Sequence, residues 1–353
     1  MSRLSRAQMQ QRNRAKVLAA ARREFAERGF RDAKIDVIAE RAELTRGAVY
    51  SNFPGKRALY LSVLAADAER AADLPDLAPG RTVREALAAF ATAWLAELPL
   101  AVDDPPGAAR LGADLLPEVL ADGAVRPPFA QLMKLDALVL ALSLERLRGR
   151  PGRLVRVAEA ALTTLHGAGV LSAAAPGFVE PFDVVATCAR LADLDLDDHW
   201  APPHLAYVPR ARPVDEPWDP PAALDALSGE PVRLTGDGVV AVLGLHRAAA
   251  IEEAVRAAPE GAEVSAVLVS GDPAELLPLA RLVLADLRRC LRTAVPPGAR
   301  PSLRVVLDPG PEVAAAAGVP AAGDGTEAAF RVRAGRIVAR ADGHGACHAA
   351  ATA

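Results

Sequence analysis

The sequence predicts a multi-domain chain: an all-α N-terminal part, made of a helix-turn-helix and a helical bundle, followed by an α/β domain. Three observations predict it. Apolar residues recur at helical spacing from Arg14 to Asp198. Eight prolines then crowd residues 195–231. Beyond them, short continuous apolar runs alternate with helical stretches, the pattern of buried strands joined by helices.

Taken in order, Val17, Leu18, Ala21 and Phe25 form the apolar stripe of a first helix, with Arg14, Arg22, Arg23 and Arg28 on its other face. Gly29-Phe30 ends it. Ile35, Ile38 and Ala39 give a second, short helix a similar stripe. A third runs from about Thr45 to Phe53, with Thr45 as its cap and Pro54-Gly55-Lys56 closing it. Leu44, Val49 and Phe53 can dock it on the second, as in a helix-turn-helix. Arg46, Gly47, Tyr50 and Ser51 are left pointing outward. A Tyr outside a small core suits a phosphate hydrogen bond. Gly47 costs the helix ~1 kcal/mol against Ala, which is useful where DNA must come close. Residues 1–57 hold 14 Lys/Arg and 6 Asp/Glu, a net +8, whereas the whole chain is −3 and the remainder is −11. A basic module on an acidic body is the charge pattern of a nucleic-acid-binding head. Only four basic residues are Lys (Lys16, Lys34, Lys56, Lys134), so the use of Arg is not in itself evidence of bidentate recognition.

The run Gly47-x-x-Tyr50-x-x-Phe53-Pro54-x-Lys56 resembles the DNA-binding domain of TetR/AcrR-type transcriptional regulators, over Arg14 to about Leu64. The resemblance implies that Thr45, Arg46, Gly47, Tyr50, Ser51 and Lys56 face double-stranded DNA, and Lys34, a poor cap but a good phosphate partner, is expected to join them. Arg46 would read bases, while Tyr50 and Lys56 would hold phosphates. Three positions depart from the family pattern. Lys34 replaces a small hydroxyl residue at the start of the second helix. Asn52 replaces a common His. The turn reads Ala42-Glu43 instead of Ala-Gly, so Glu43 must accept a left-handed backbone or the turn must change.

Helical patterns follow at 56–74, 81–98, 107–121, 127–149, 153–170 and 181–194. They resemble the family's all-helical ligand-binding and dimerisation domain. That likeness implies a homodimer paired through the last two helices, with Leu154, Val157, Ala161, Leu165 and Val184, Val185, Cys188, Leu191 as candidate faces. Phe90, Trp94, Phe129, Met133 and His166 are candidates to line a cavity for a small-molecule effector, and equally fit an ordinary core.

The Pro-rich stretch reads as a linker. Its Trp200, Tyr207 and Trp218 suggest that it packs down on a domain surface. Strands are expected at Val239–Leu243, Val264–Val269 and Leu303–Leu307, with helices at Ala248–Ala258, Pro273–Ala294 and Glu312–Ala317. A hairpin closes the domain around Ala334-Gly335, with its arginines expected on one face. This order, with the phrase Val306-Leu307-Asp308-Pro309 … Gly335-Arg336-Ile337-Val338, resembles thioredoxin-like domains. Redox catalysis there needs a cysteine where the first strand turns into its helix. Leu245-His246-Arg247-Ala248 stands in that place, and Gly325-Thr326-Glu327 replaces the proline expected before the hairpin. Thiol catalysis is therefore not expected.

No run of about eighteen apolar residues exists and the N-terminus lacks the apolar stretch of a signal peptide, so a cytoplasmic protein without a membrane partner is expected. Cys188, Cys290 and Cys347 are too far apart for a disulfide framework. No phosphate loop, catalytic triad or metal motif appears, so neither catalytic residue, cofactor nor metal is assigned. The expected organisation is 1–60 helix-turn-helix, 61–198 ligand-binding and dimerisation domain, 199–230 linker, 231–343 thioredoxin-like domain able to fold alone, and 344–353 disordered tail. The expected function is a ligand-released repressor, not an enzyme, acting as a homodimer on a palindromic operator. The rival is a redox-responsive regulator or a thiol oxidoreductase fused to a DNA-binding domain.

Overall fold

The computed structural model describes residues 5–71, 77–98, 112, 115–203 and 210–353. Tyr207 and most of the first half of the helix expected at 107–121 lie outside them.

Helix α1 (Arg6–Asp32) opens on a capping box, in which Ser5 accepts from Gln8 and the Gln8 side chain reaches back. Its regular part ends at Gly29, at φ 73°. Next come α2 (Ile35–Arg41), α3 (Arg46–Tyr50) and α4 (Lys56–Arg70). Their inward residues, Val17, Phe25, Ile38, Val49, Phe53 and Tyr60, form one small core. The bundle continues with α5 (Val83–Leu95), α6 (Leu115–Ala121), α7 (Arg126–Arg148), α8 (Val155–Ala174) and α9 (Pro181–Arg190). By length and composition α7 could cross a membrane. It is instead the central helix of the bundle, with Leu132, Leu135, Leu138 and Leu140 fully buried.

The α/β part holds β1 (Arg212–Pro217), β2 (Ala223–Leu224), β3 (Pro231–Val232), β4 (Gly238–Gly244), α10 (Ile251–Ala257), β5 (Glu263–Val269), α11 (Pro273–Ala294), β6 (Arg304–Leu307), α12 (Glu312–Ala316), β7 (Glu327–Arg333), β8 (Arg336–Asp342) and α13 (Ala346–Ala351). Six strands form one sheet in the order β1-β8-β7-β4-β5-β6. β4, β5 and β6 are parallel, whereas β7, β8 and β1 run antiparallel. This is the parallel core with an antiparallel edge that the order of elements implies. The hairpin turns on Ala334 (φ 48°) and Gly335 (φ 71°), the two positive-φ residues of a tight hairpin. Its arginines do not share a face. Arg340 stands opposite Phe330 and stacks on its ring, whereas Arg331, one residue on, points to the other side.

Three expectations are corrected. The stretch expected as a linker contributes two strands. β1 pairs with β8, and Asp225 accepts from Val305 N at 2.9 Å beside β6. Pro213 and Pro217 are tolerated because β1 is an edge strand. Trp218 is buried and donates from its indole to the Leu234 carbonyl, and Trp200 lies 6.0 Å from His348, so these aromatics pack on the α/β part. The tail expected to be disordered forms α13, with Ala346, Cys347, Ala349, Ala350 and Ala351 buried. Alanine is both the best helix former and small enough to lie close on a sheet.

The third correction concerns independence. Successive right-handed crossovers from β4 to β5 to β6 put α10 and α11 on one face of the sheet. The helical bundle packs on that same face. Leu276, Leu279, Val283 and Leu287 of α11 share one continuous core with Leu87, Phe90, Leu135 and Leu138 of the bundle. Arg289 donates to the Ala93 carbonyl at 2.8 Å, and Gly80 N donates to the Ala294 carbonyl at 2.9 Å. A chain ending at Asp198 leaves the faces of α4, α5 and α7 under α11 bare. At about 1.5–3 kcal/mol for each large apolar side chain, that loss exceeds an ordinary domain's stability. Residues 1–198 alone are therefore expected to aggregate or melt without cooperativity, by gel filtration and thermal circular dichroism. A monodisperse fragment with a sharp melt would disprove the shared core.

The same junction buries carboxyls. Asp136 of α7 has one oxygen without a partner. Burial, and then the charge of Asp286 on α11, push its pKa well above the usual range. Burial raises Asp286 to about 6, with Glu97 adding to the rise and Arg289 opposing it. A carboxyl raised on folding favours the folded state only while protonated. Stability from Asp286 should therefore fall as pH rises from about 4 through 6, by up to about 3 kcal/mol. Asp286→Asn should flatten that fall in denaturant titrations at pH 5 and pH 8; an unchanged slope would contradict it.

Candidate nucleic-acid interface

The turn before the recognition helix takes the strained solution open to it. Glu43 sits at φ 55°, and its carboxylate pairs with Lys16 at 3.0 Å. Thr45 caps α3 by accepting from Ala48 N at 3.2 Å. Buried Val49 and Phe53 hold α3 down. Lys34, Thr45, Arg46, Gly47, Tyr50 and Ser51 are all exposed, so α2's first residue and α3's outer side present them together. On α3, Arg46, Gly47, Tyr50 and Ser51 lie one turn apart on the same side.

Their environments differ. The Arg46 guanidinium lies over the Tyr50 ring, 5.6 Å from its centre, and 3.3 Å from Asp36. The Tyr50 hydroxyl and then Asp36 tighten its hold on its proton. Ser51 spends its hydroxyl on the Ala48 carbonyl at 2.9 Å. At Gly47 a Cβ would meet only Thr45 Oγ1, at 3.9 Å, so the protein's own packing does not demand a glycine there. Lys34 caps α2 by position only, without a side-chain bond; its backbone N–H donates to Glu24 at 3.3 Å.

Lys56 is the exception. Its ammonium donates to the Arg31 and Ala33 carbonyls, both at 2.9 Å, and lies 4.7 Å from the centre of the Phe30 ring. It closes the end of α1 onto α4, so its charge is engaged within the protein. Sequence reasoning missed what two residues of this region do inside the head. Arg14 donates to the Asn52 carbonyl at 2.9 Å and covers the Phe53 ring at 4.2 Å. Glu24, fully buried, pairs with Arg28 and Arg41 at 3.4 and 3.3 Å. Arg14 and Arg28 were legible as a basic face; that Glu24 turns inward was not.

Residues 17–63 match the family described as bacterial regulatory proteins, tetR family. The N-terminal segment is a TetR-type helix-turn-helix. Among solved structures, the chain is similar to a TetR transcriptional regulator from Rhodococcus sp. RHA1, at 17% identity over 52% of this chain and 95% of that one, with a TM-score of 0.35. It is also similar to a transcriptional regulator FadR from Bacillus subtilis, solved in complex with stearoyl-CoA. That match is at 15% identity over 50% of this chain and 96% of that one, with a TM-score of 0.27. No curated protein matches the chain. The assignment of the N-terminal segment rests on the family match and on the geometry above.

Elsewhere, the residues expected around an effector are only partly gathered. Trp94 and His166 meet at 5.5 Å, and Gly169 gives the indole room, since a Cβ there would lie 3.0 Å from it. Burial lowers the His166 pKa, and its Nδ1 bonds the Leu162 carbonyl at 2.9 Å. Phe90 is buried, and Phe129 and Met133 are packed against the same core. None of the five lines the cleft of about 620 Å³ that opens between bundle and α/β part beside Arg150, Arg153, Trp200 and Arg256.

Of the stripes expected at a dimer interface, Leu154, Val157, Ala161, Leu165 and Cys188 are buried within the subunit, whereas Val184, Val185 and Leu191 are half-buried. The exposed apolar residues of the same two helices and their connection are Val170, Leu171, Phe178 and Phe182, the last two 71% and 82% exposed.

Tyr50 and Lys56 therefore separate by experiment. Tyr50→Ala should weaken DNA binding and leave the melting temperature unchanged. Lys56→Ala should lower domain stability by about 1–3 kcal/mol through two lost charge-assisted bonds. Equal melting temperatures for both variants would return Lys56 to a purely DNA-facing role.

Proposed function

We infer that the protein is a DNA-binding transcriptional regulator that acts as a homodimer on a palindromic operator and is released by a small-molecule effector. The observation that carries this reading is the exposed set Thr45, Arg46, Gly47, Tyr50 and Ser51 on a TetR-type recognition helix within a segment of net +8. Lys34 joins that set at the edge, and Lys56 supports it from behind. The solvent-facing Phe178 and Phe182 are the surface offered to a second copy, which two half-sites require. Trp94 with the half-buried imidazole of His166, beside Phe90, Phe129 and Met133, is the proposed effector environment. Such a regulator would work in the cytoplasm. The functional units 1–60, 61–198 and 231–343 keep their proposed roles without being independent folding units.

The α/β part is proposed to be thioredoxin-like without thiol chemistry. Support comes from the two loops that carry the cysteine and the proline in that fold, which do meet here. His246 N donates to the Asp324 carbonyl at 2.9 Å, and Gly244 N to the Thr326 carbonyl at 2.8 Å. Between them stands an ion pair, Arg247 Nε to the buried Glu327 at 2.8 Å. The cysteines of the chain are buried. Burial pushes the Cys188 thiol up to about 11 and Cys290 up to about 12, and raises Cys347 well above its ordinary value. Thiols held protonated in this way are poor nucleophiles and poor peroxide sensors.

Selection of genomic fragments on the full chain tests both readings at once, run with wild type and with Cys188, Cys290 and Cys347 all changed to Ser, each with and without peroxide. The expected result is one palindromic sequence, the same in all four arms. Failure to enrich any sequence would count against the regulator. Peroxide release confined to wild type would establish thiol sensing instead.

A further inference from the structure

Helix α4 belongs to two cores. Leu59, Tyr60, Val63 and Leu64 lie in the cluster of the DNA-binding head, whereas Leu61 lies in the large cluster of the bundle. Close-packed interfaces shift between discrete arrangements and do not stretch, so a shift of α4 must carry the recognition helix with it. On one side α1 holds α4 through Arg22 and Asp67, at 2.8 Å.

The other side is held by the C-terminal part of the chain. At the start of α4, Arg57 Nε donates to Glu275 of α11 at 2.6 Å, and its other arm reaches Asp122. The Glu275 carboxylate also lies against Gly55, in the turn that closes the recognition helix, 4.0 Å from where a Cβ would stand. At the end of α4, Arg281 holds Glu69 by two parallel bonds of 2.9 and 2.7 Å. Between them Leu282, buried, enters the cluster of Phe25, Val49 and Phe53. It is the one buried residue of the α/β part in that cluster among the described residues. Arg281 is also close enough to disfavour the charge of Arg14, after burial the second cause of its lowered pKa. Arg14 in turn holds the Asn52 carbonyl directly behind α3.

We propose that the α/β domain is the chain's own regulator of DNA binding. Through Glu275, Arg281 and Leu282, α11 holds α4, and with it α3, in the reading position. A small molecule bound to the α/β domain that shifts α11 against α4 within the shared core would loosen the head. This rests on the DNA-binding reading and adds a second input to it, through the C-terminal domain as well as through the bundle.

The test uses the full chain. Glu69→Arg should set two cations against each other, and Glu69→Arg with Arg281→Glu should restore the pair. Leu282→Ala removes the apolar contact from the α11 side alone. Two quantities are measured: hydrogen exchange of the amides at 35–50 without DNA, and affinity for the selected operator. Glu69→Arg and Leu282→Ala should both speed exchange at 35–50 and weaken operator binding. For Glu69→Arg the factor should be about two- to fivefold, what a partly exposed ion pair supports, and the swap should reverse it. Faster exchange at 66–70 with 35–50 unchanged would overturn the proposal, as would no change anywhere. If wild type binds no DNA, the DNA-binding reading fails by itself, and the exchange measurement still decides whether α11 holds the head.

Discussion

Helix α11 buries residues around almost its whole circumference. Leu276, Leu277, Leu279, Leu282, Leu284, Leu287 and Leu291 are all inside, and so are Arg289 and Thr293. A helix covered on every side needs a neighbour on every side. The sheet supplies one, and α4, α5 and α7 supply the others. This requirement makes one body of the bundle and the α/β part. It also explains why polar groups at the junction are tied down: Arg289 to the Ala93 carbonyl, Arg57 to Glu275, and Arg281 to Glu69. One oxygen of Asp136 and Nε of Arg289 stay unpartnered there, and the Asp136 carboxyl responds by holding its proton.

The sheet is finished by segments with little outward sign of structure. β1, rich in proline and charge, covers the free edge of β8, and its Asp215 and Glu216 pair with Arg336 and Arg340. α13 covers the sheet from the side facing α10, and its first amides, Gly345 N and Ala346 N, donate to Glu327 at 2.7 and 3.1 Å. Glu327 thereby serves two partners, Arg247 from the strand-end loop and the start of α13. Arg247, Glu327 and the start of α13 thus form one structural polar tie.

The DNA-binding head is joined to this body more firmly than a short connection would require. Its basic outer residues stay in water, where Arg46 lies over the Tyr50 ring and 3.3 Å from Asp36. Its inner residues are shared with α4, and α4 is shared with α11. The reading surface is thus exposed, while its support is packed.

By itself the sequence determined the local elements. Stripes at 3.6-residue spacing, the Thr45 cap, the run from Gly47 to Lys56 and the apolar strands are all short-range patterns, and apart from the helix expected at 107–121, whose first half lies mostly outside the described residues, they are realised within a few residues of their expected bounds. The outward set on α3 was legible for the same reason: once Val49 and Phe53 face in, helical geometry leaves Arg46, Gly47, Tyr50 and Ser51 outside. Tertiary structure decided which faces meet. An apolar stripe does not say whether it fills its own subunit, as Leu154 and Leu165 do, or faces solvent, as Phe178 and Phe182 do. Lys56 looked free because its partners, the carbonyls of Arg31 and Ala33, lie more than twenty residues away. An alanine-rich tail is helix or disorder according to whether a sheet is there to receive it. The bundle and the α/β part could read as separate because each segment has its own pattern. Only the strand order, which places both crossover helices on one face, shows that the face is shared.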